Sequence, residues 1–135
     1  MKPQELQDIV IRHLENAGWH VARGYPAVLA QLPLAAVMWP QVEEGIVTSE
    51  PFGVAQATVT VVVVGAVGDS GAAAQKGAEE LYRAWAVLRT LRPAGPFEMI
   101  RIRAAPTGME VLNIAGNLCS GGIIELTFRA ALHAP

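Results

Sequence analysis

Charge is what this sequence has least of. Only 16% of its 135 residues are Asp, Glu, Lys or Arg, against about 25% in an ordinary soluble domain. With 52% hydrophobic residues beside it, that scarcity excludes a disordered chain, which needs low hydrophobicity and high net charge. The balance of 10 basic and 12 acidic residues, net −2, leaves no positive excess to hold nucleic acid. A single cysteine, Cys119, excludes an internal disulfide and every multi-cysteine zinc site. Long apolar runs are missing too. The longest, Val61 to Val67 counting Gly65, is far below the roughly 20 residues of a membrane span. Met1 to Asp8 lacks the apolar stretch of a signal peptide. These absences predict an intracellular soluble protein with no membrane partner.

What is present is small and apolar: 22 Ala and 15 Val beside eight aromatic residues. The length suits one domain of about 100–200 residues. A core of small side chains is thin, and a domain of this size keeps about a third of its unfolded surface exposed. Apolar surface is therefore expected to remain for a partner. The basic residues are eight Arg and two Lys, and Arg is the better residue for paired, partly buried contacts.

Periodicity orders the elements. Pro3 suits a first helical position, and Leu6, Ile9, Val10, Leu14 and Ala17 follow at helical spacing before Gly18. A helix is expected over residues 3–17 and a short strand over 19–23. Residues 27–32 are ambiguous in period, with a single helical turn as the reading. A strand follows over Leu34–Trp39. Residues 40–53, with Glu43, Glu44 and Glu50 among prolines and glycines, read as a long loop or protruding hairpin arm. From Gln56 the chain alternates, then becomes apolar on both faces at Val61–Val64, a strand half-exposed at its start and covered at its end. Asp69 or Ser70 caps a second helix whose expected stripe is Ala74, Ala78, Leu81, Tyr82, Trp85 and Leu88. Lys76, Glu79, Glu80 and Arg83 fall largely off it. Strands follow with Met99, Arg101 and Arg103 on one side, then Met109–Ile114. A loop over 116–122 leads to a last strand with Ile124, Leu126, Phe128 and Ala130 inward. The order α-β-β-(arm)-β-α-β-β-β predicts one α+β domain, with a mostly antiparallel or mixed sheet and both helices on one face.

No catalytic set emerges from this order. Gly68-Asp69-Ser70-Gly71 also surrounds the nucleophile of chymotrypsin-like proteases. Those enzymes need two barrels and a histidine oriented by an acid, and a helix cap accounts for the string here. Gly65, Gly68 and Gly71 match neither the dinucleotide nor the P-loop spacing. His13, His20 and His133 do not form a ligand spacing with one another or with Cys119, which reads as a passive thiol in a loop. Adjacent Glu43-Glu44 and Glu79-Glu80 point their carboxylates apart. No catalytic residue, cofactor or metal is expected. The alternative from another class is a small enzyme or ligand-binding domain built on the Gly68–Gly71 turn, with Ser70, Lys76 or a histidine at a pocket.

The informative pattern is distributed. Gln56, Thr58 and Thr60, then Arg101 and Arg103, then Glu125, Thr127 and Arg129 all fall on the polar side of their strands. With helices on the opposite face, they form one sheet face of mixed charge. That face is either plainly solvated or a docking surface on which Arg–carboxylate pairs set register between subunits. Long loops are usually functional, so the arm joins this list. The candidate interface is Glu43, Glu44, Glu50, Arg101, Arg103, Glu125 and Arg129.

Taken together, several features resemble the tail terminator (tail completion, minor tail protein U-like) proteins of long-tailed bacteriophages and prophages. They are the opening amphipathic helix, the strand ending at Gly24-Tyr25-Pro26, and Leu32-Pro33-Leu34-Ala35-Ala36-Val37 leading into an acidic arm. The Thr/Val-rich strand, the Ala-rich helix with Leu81, Trp85 and Leu88, and the closing Glu125-Leu126-Thr127-Phe128-Arg129 complete the pattern. The resemblance implies a non-enzymatic virion tail protein assembled in the host cytoplasm. It would form a ring, commonly of six subunits, that caps the tail tube protein, stops its polymerisation and offers a surface to a head-completion or connector protein. A head–tail connector or neck protein shares the same pattern. No sequence-specific contact with nucleic acid is implied, and a near-neutral lumen suits DNA that must slide through it.

Overall fold

The computed structural model describes residues 3–29, 31–43, 54–68, 70–93, 97–104 and 110–131. Helix α1 (Pro3–Asn16) buries Leu6, Val10, Ile11 and Leu14 on one stripe. It stops where Gly18 takes a left-handed φ of 90° and the amides of Ala17, Gly18 and Trp19 donate back to the carbonyls of Leu14 and Glu15, a closure that only glycine makes without strain. Strands β1 (His20–Arg23), β2 (Leu34–Val37), β3 (Gln41–Glu43) and β4 (Val54–Val67) precede helix α2 (Gly71–Leu88). Strands β5 (Phe97–Ala104), β6 (Glu110–Ile114) and β7 (Asn117–Ala131) follow it.

The strands form one seven-stranded sheet with the path β1-β2-β4-β7-β5. Strand β3 pairs with β4 beyond β2, and β6 pairs with β7 beyond β5. Only β1 and β2 run parallel; every other pair is antiparallel. Both helices cover one face, as expected. Leu6, Val10 and Leu14 of α1 and Leu81, Ala84 and Leu88 of α2 pack on Val37, Val59, Val61, Val63, Ile124, Leu126 and Phe128. A polar clasp ties α1 to the edge. Gln7, 2% exposed, donates to the Val37 carbonyl and accepts from Arg23, whose guanidinium also meets Asp8 at 2.6 Å.

The opposite face is divided. Leu34, Ala36, Val62, Val64, Ile114 and Cys119 form a second apolar cluster, with Leu29 and Leu32 packed against it. The other half, along the first residues of β4, is the polar side read from the sequence. The expected change in β4 is present: Gln56 is exposed and Val61 to Val64 are buried.

Five local expectations are refined or corrected. Residues 27–29 and 31–33 contain bends and no helical turn; the segment covers the second apolar cluster instead. Of the two readings of the arm, the hairpin is the one its base fits: Gln41–Glu43 is a strand antiparallel to β4, and Pro40 is buried; Glu44 and Glu50 lie outside the described residues. A bulge at Ile100 shifts register between Met99 and Arg101. Met99 therefore packs on the helix-covered core while Arg101 and Arg103 face the other way. The expected loop over 116–122 is strand. Only Ala115 and Gly116 turn, at φ 52° and 79°, the two left-handed positions of a tight hairpin. Cys119 consequently lies buried in β7, where burial pushes its thiol pKa up.

The fifth correction concerns α2. Ser70 caps it, its hydroxyl accepting from the Ala73 amide, but the buried stripe is Ala73, Gly77, Glu80, Leu81, Ala84 and Leu88. The helix is rotated from the expected face because its backbone rests on the sheet. A Cβ at Gly77 would stand 2.6 Å from the Ser120 carbonyl carbon, and one at Gly65 would stand 2.8 Å from the Gly77 Cα. Glu80, 5% exposed, is carried inward with the stripe. Lys76 at 2.9 Å and Arg83 at 2.6 Å neutralise it, and Arg83 also lies 4.5 Å over the Trp19 ring.

Two outcomes follow from this seating. Gly77→Ala adds helix propensity, yet should lower stability by about 1–3 kcal/mol because the contact cannot be relieved without moving backbone; Gly71→Ala, with open space around it, should be neutral in the same thermal melts. Burial alone would raise the Glu80 pKa, but hydrogen bonds from Lys76 and Arg83 outweigh it and hold the carboxyl below its ordinary 4.5. Its contribution is therefore full above that ordinary value and lost as pH falls through the lowered one. Glu80→Gln should cost ~1–2 kcal/mol at pH 7 and flatten the acid limb of a stability–pH profile from urea titrations.

Candidate functional site

The candidate site is the polar half of the sheet face that the helices leave uncovered. Three strands align its side chains in cross-sheet rows. Thr58 of β4 pairs with Thr127 of β7, which pairs with Arg101 of β5. The next rows are Thr60, Glu125 and Arg103, then Gln56, Arg129 and Glu98. Gln56, Thr58, Arg101, Arg103, Glu125 and Thr127, with Ile100 at the bulge, line a shallow groove of about 470 Å³.

The electrostatics of this groove differ from those of the helix side. Lys76, Glu80, Arg83, Asp8 and Arg23 are all committed to ion pairs. On the groove, Arg129 reaches Glu98 at 3.8 Å between two exposed groups, an arrangement worth little. Among the described residues, none of Arg101, Arg103 and Glu125 makes an ion pair, although Arg103 and Glu125 stand directly opposite each other in register. Three charges held on rigid strands and left uncommitted suit an outside partner better than internal stability.

The structure therefore brings together Arg101, Arg103, Glu125 and Arg129 of the residues singled out in the sequence. Glu43 stands in register with Gln56 on the neighbouring strand β3, at the border of the same face. Glu44 and Glu50 lie outside the described residues.

The residues of the alternative reading do not converge. Ser70 caps the start of α2, whereas His13 contacts the Val87 carbonyl at 2.9 Å and the Thr90 hydroxyl at 3.1 Å, at the far end of the same helix. At about 1.5 Å per residue, Ser70 and His13 are separated by most of the length of α2. His20 is exposed on the edge strand β1, and Lys76 is engaged by Glu80. Among the described residues no three His, Cys, Asp or Glu side chains gather to hold a metal ion. No described helix is long and apolar enough to cross a membrane.

Sequence reading missed a second, larger groove. Trp85, Arg89, Leu91, Arg92 and Phe97 line about 600 Å³ between the end of α2 and β5, with Glu98 to Ile102 as its other wall. The Arg89 guanidinium lies 4.6 Å over the Trp85 ring, and Arg92 donates to the carbonyls of Arg89 and Leu91. The available signal was two Arg, Arg89 and Arg92, close together where the helix stops.

Because Arg101 and Arg103 are exposed and make no ion pair among the described residues, Arg101→Gln/Arg103→Gln should leave thermal stability within ~0.5 kcal/mol of the parent. A larger loss in calorimetry would show that these arginines serve the fold rather than an interface.

No protein-family model matches this sequence, and no curated protein matches it significantly.

Proposed function

We propose that this chain is a non-catalytic assembly protein that forms a ring on a bacteriophage or prophage tail tube. In this role it ends tube growth and presents a joining surface to the head, in the manner of tail terminators. The observation that carries the reading is the sheet face of uncommitted charge around Arg101, Arg103 and Glu125. An enzyme or small-ligand domain concentrates perturbed groups in an enclosed pocket. Here the exposed charges spread along two neighbouring strands of an open face, which is how docking surfaces set register. The sheet also has different edges on its two sides, β1 and β3 on one and β5 and β6 on the other. Two unlike patches per subunit are what a head-to-tail ring requires. The resemblance in element order, length and composition adds the tail as the setting, with the tube protein and a head-completion protein as partners.

The experiment is direct. Light scattering behind size-exclusion at rising concentration should show a closed oligomer, or electron microscopy should show density at the ends of tail tubes with tube growth arrested. Arg101→Glu/Arg103→Glu should abolish both while keeping the fold. A chain that stays monomeric and never binds a tube end overturns the reading. Rings that bind a portal assembly and ignore tubes would reassign it to head–tail joining.

A further inference from the structure

We propose that each copy seats its β3 edge, with the acidic run that follows it, in the α2–β5 groove of the next copy. The inference rests on the ring reading above and names the joint that such a ring uses.

The groove has a definite chemistry. Trp85, Leu91, Phe97 and Met99 supply apolar wall, while Arg89, Arg92 and Arg101 outnumber the one acid, Glu98. Two of these arginines are fixed in place. Arg89 is laid on the Trp85 ring, and Arg92 is held by carbonyls at the end of α2, so little conformational entropy remains to be lost on binding. A ligand for this groove carries carboxylates interspersed with apolar side chains.

The chain itself contains that ligand. Residues 40–55 hold Glu43, Glu44 and Glu50 with no Lys, Arg or His, and carry Ile46, Val47 and Phe52 between and beyond them. No other stretch of this length in the sequence has three acids and no basic residue while also supplying large apolar side chains.

Topology sets the two patches at opposite ends of the same rows. Gln41 pairs with Thr58, Thr58 with Thr127, and Thr127 with Arg101. Glu43 pairs with Gln56, Gln56 with Arg129, and Arg129 with Glu98. Strand β3, which leads into the acidic run, and the basic groove thus flank one four-strand width of sheet, about 14 Å at the usual strand spacing. Copies placed side by side along the hydrogen-bonding direction bring the acidic edge of one to the basic edge of the next. That contact is heterologous and repeats around a ring. The Ile100 bulge interrupts the regular ladder of β5, which disfavours simple continuation of the sheet. Side chains in the groove make the joint.

Charge exchange tests this. Arg92→Glu/Arg101→Glu reverses the groove, and Glu43→Lys/Glu44→Lys reverses the run. Each variant alone should weaken self-association by at least tenfold in sedimentation, with folding checked by circular dichroism. An equimolar mixture of the two should regain it, because every run then finds an opposite groove on a neighbour, and all four changes in one chain should regain it too. If a reversed groove does not fold, Arg92→Gln/Arg101→Gln should weaken association and reduce its salt dependence. Association equal to the parent in either reversed variant overturns the joint, as does failure of both mixture and combined variant to restore it, and the ring reading survives either result. A parent that is monomeric throughout and ignores tube ends overturns the ring reading instead. The groove is then judged with a synthetic peptide of residues 40–54. Saturable binding that is lost in Arg92→Glu/Arg101→Glu upholds the chemistry, and no binding overturns it.

Discussion

The fold depends on one close approach, the backbone of α2 resting on the backbones of β4 and β7. Gly65 and Gly77 make it, since a Cβ on either would meet backbone atoms across the helix–sheet contact. Once the helix is that low, its rotation is no longer free. Gly77 must face down, so Ala73, Leu81, Ala84 and Leu88 follow it into the core, and Glu80 goes with them. A buried carboxylate costs several kcal/mol unless it is paired, so Lys76 and Arg83 are drawn to it. Arg83 then spans to Trp19, which closes the gap between the end of α1 and α2. A packing constraint among small residues thus sets the charge arrangement of the whole helix-covered side.

The same constraint explains what could be read from the sequence. The helices, the half-exposed start of β4 and the alternation of β7 follow from period alone, because Leu126, Phe128 and their neighbours have one apolar face to bury. The rotation of α2 does not. Ala74, Ala78 and Tyr82 make a better apolar stripe than the observed one with Gly77 and Glu80, and only the facing glycines of other strands overrule it. The Ile100 bulge was likewise invisible, since β-branched residues alternate across it without a glycine to mark the extra residue. The polar face survived these errors because Arg101, Arg103, Glu125 and Thr127 lie on strands whose parity is fixed by the core. The α2–β5 groove was missed because Arg89 and Arg92 meet Met99 and Arg101 only through tertiary packing.

The two sides of the sheet use charge in different ways. On the helix side, the charges pair within the chain, two of them on the buried Glu80. On the open side, exposed pairs are worth about 0–1 kcal/mol each, too little for any one of them to hold subunits together. An interface made from such contacts is weak as a single joint and becomes strong only when closure lets every copy make two. Under the proposed function, this property suits a component that stays dispersed until a template gathers it. Low total charge contributes, because it limits the repulsion between copies when they are brought close.

Strand β7 has a consequence for how the chain reaches this state. It is the last strand in chain order, yet it pairs with β4 along almost its whole length and with both β5 and β6 on its other side. During synthesis, three strands therefore emerge before the one that joins them. Long-range pairing of this kind is slow, and unpaired strand edges are prone to aggregate. The chain cannot complete its sheet vectorially. Its native topology is committed only when β7 pairs with β4 and carries β5 and β6 onto the sheet, so the burden of avoiding premature association falls on the nascent Val-rich β4.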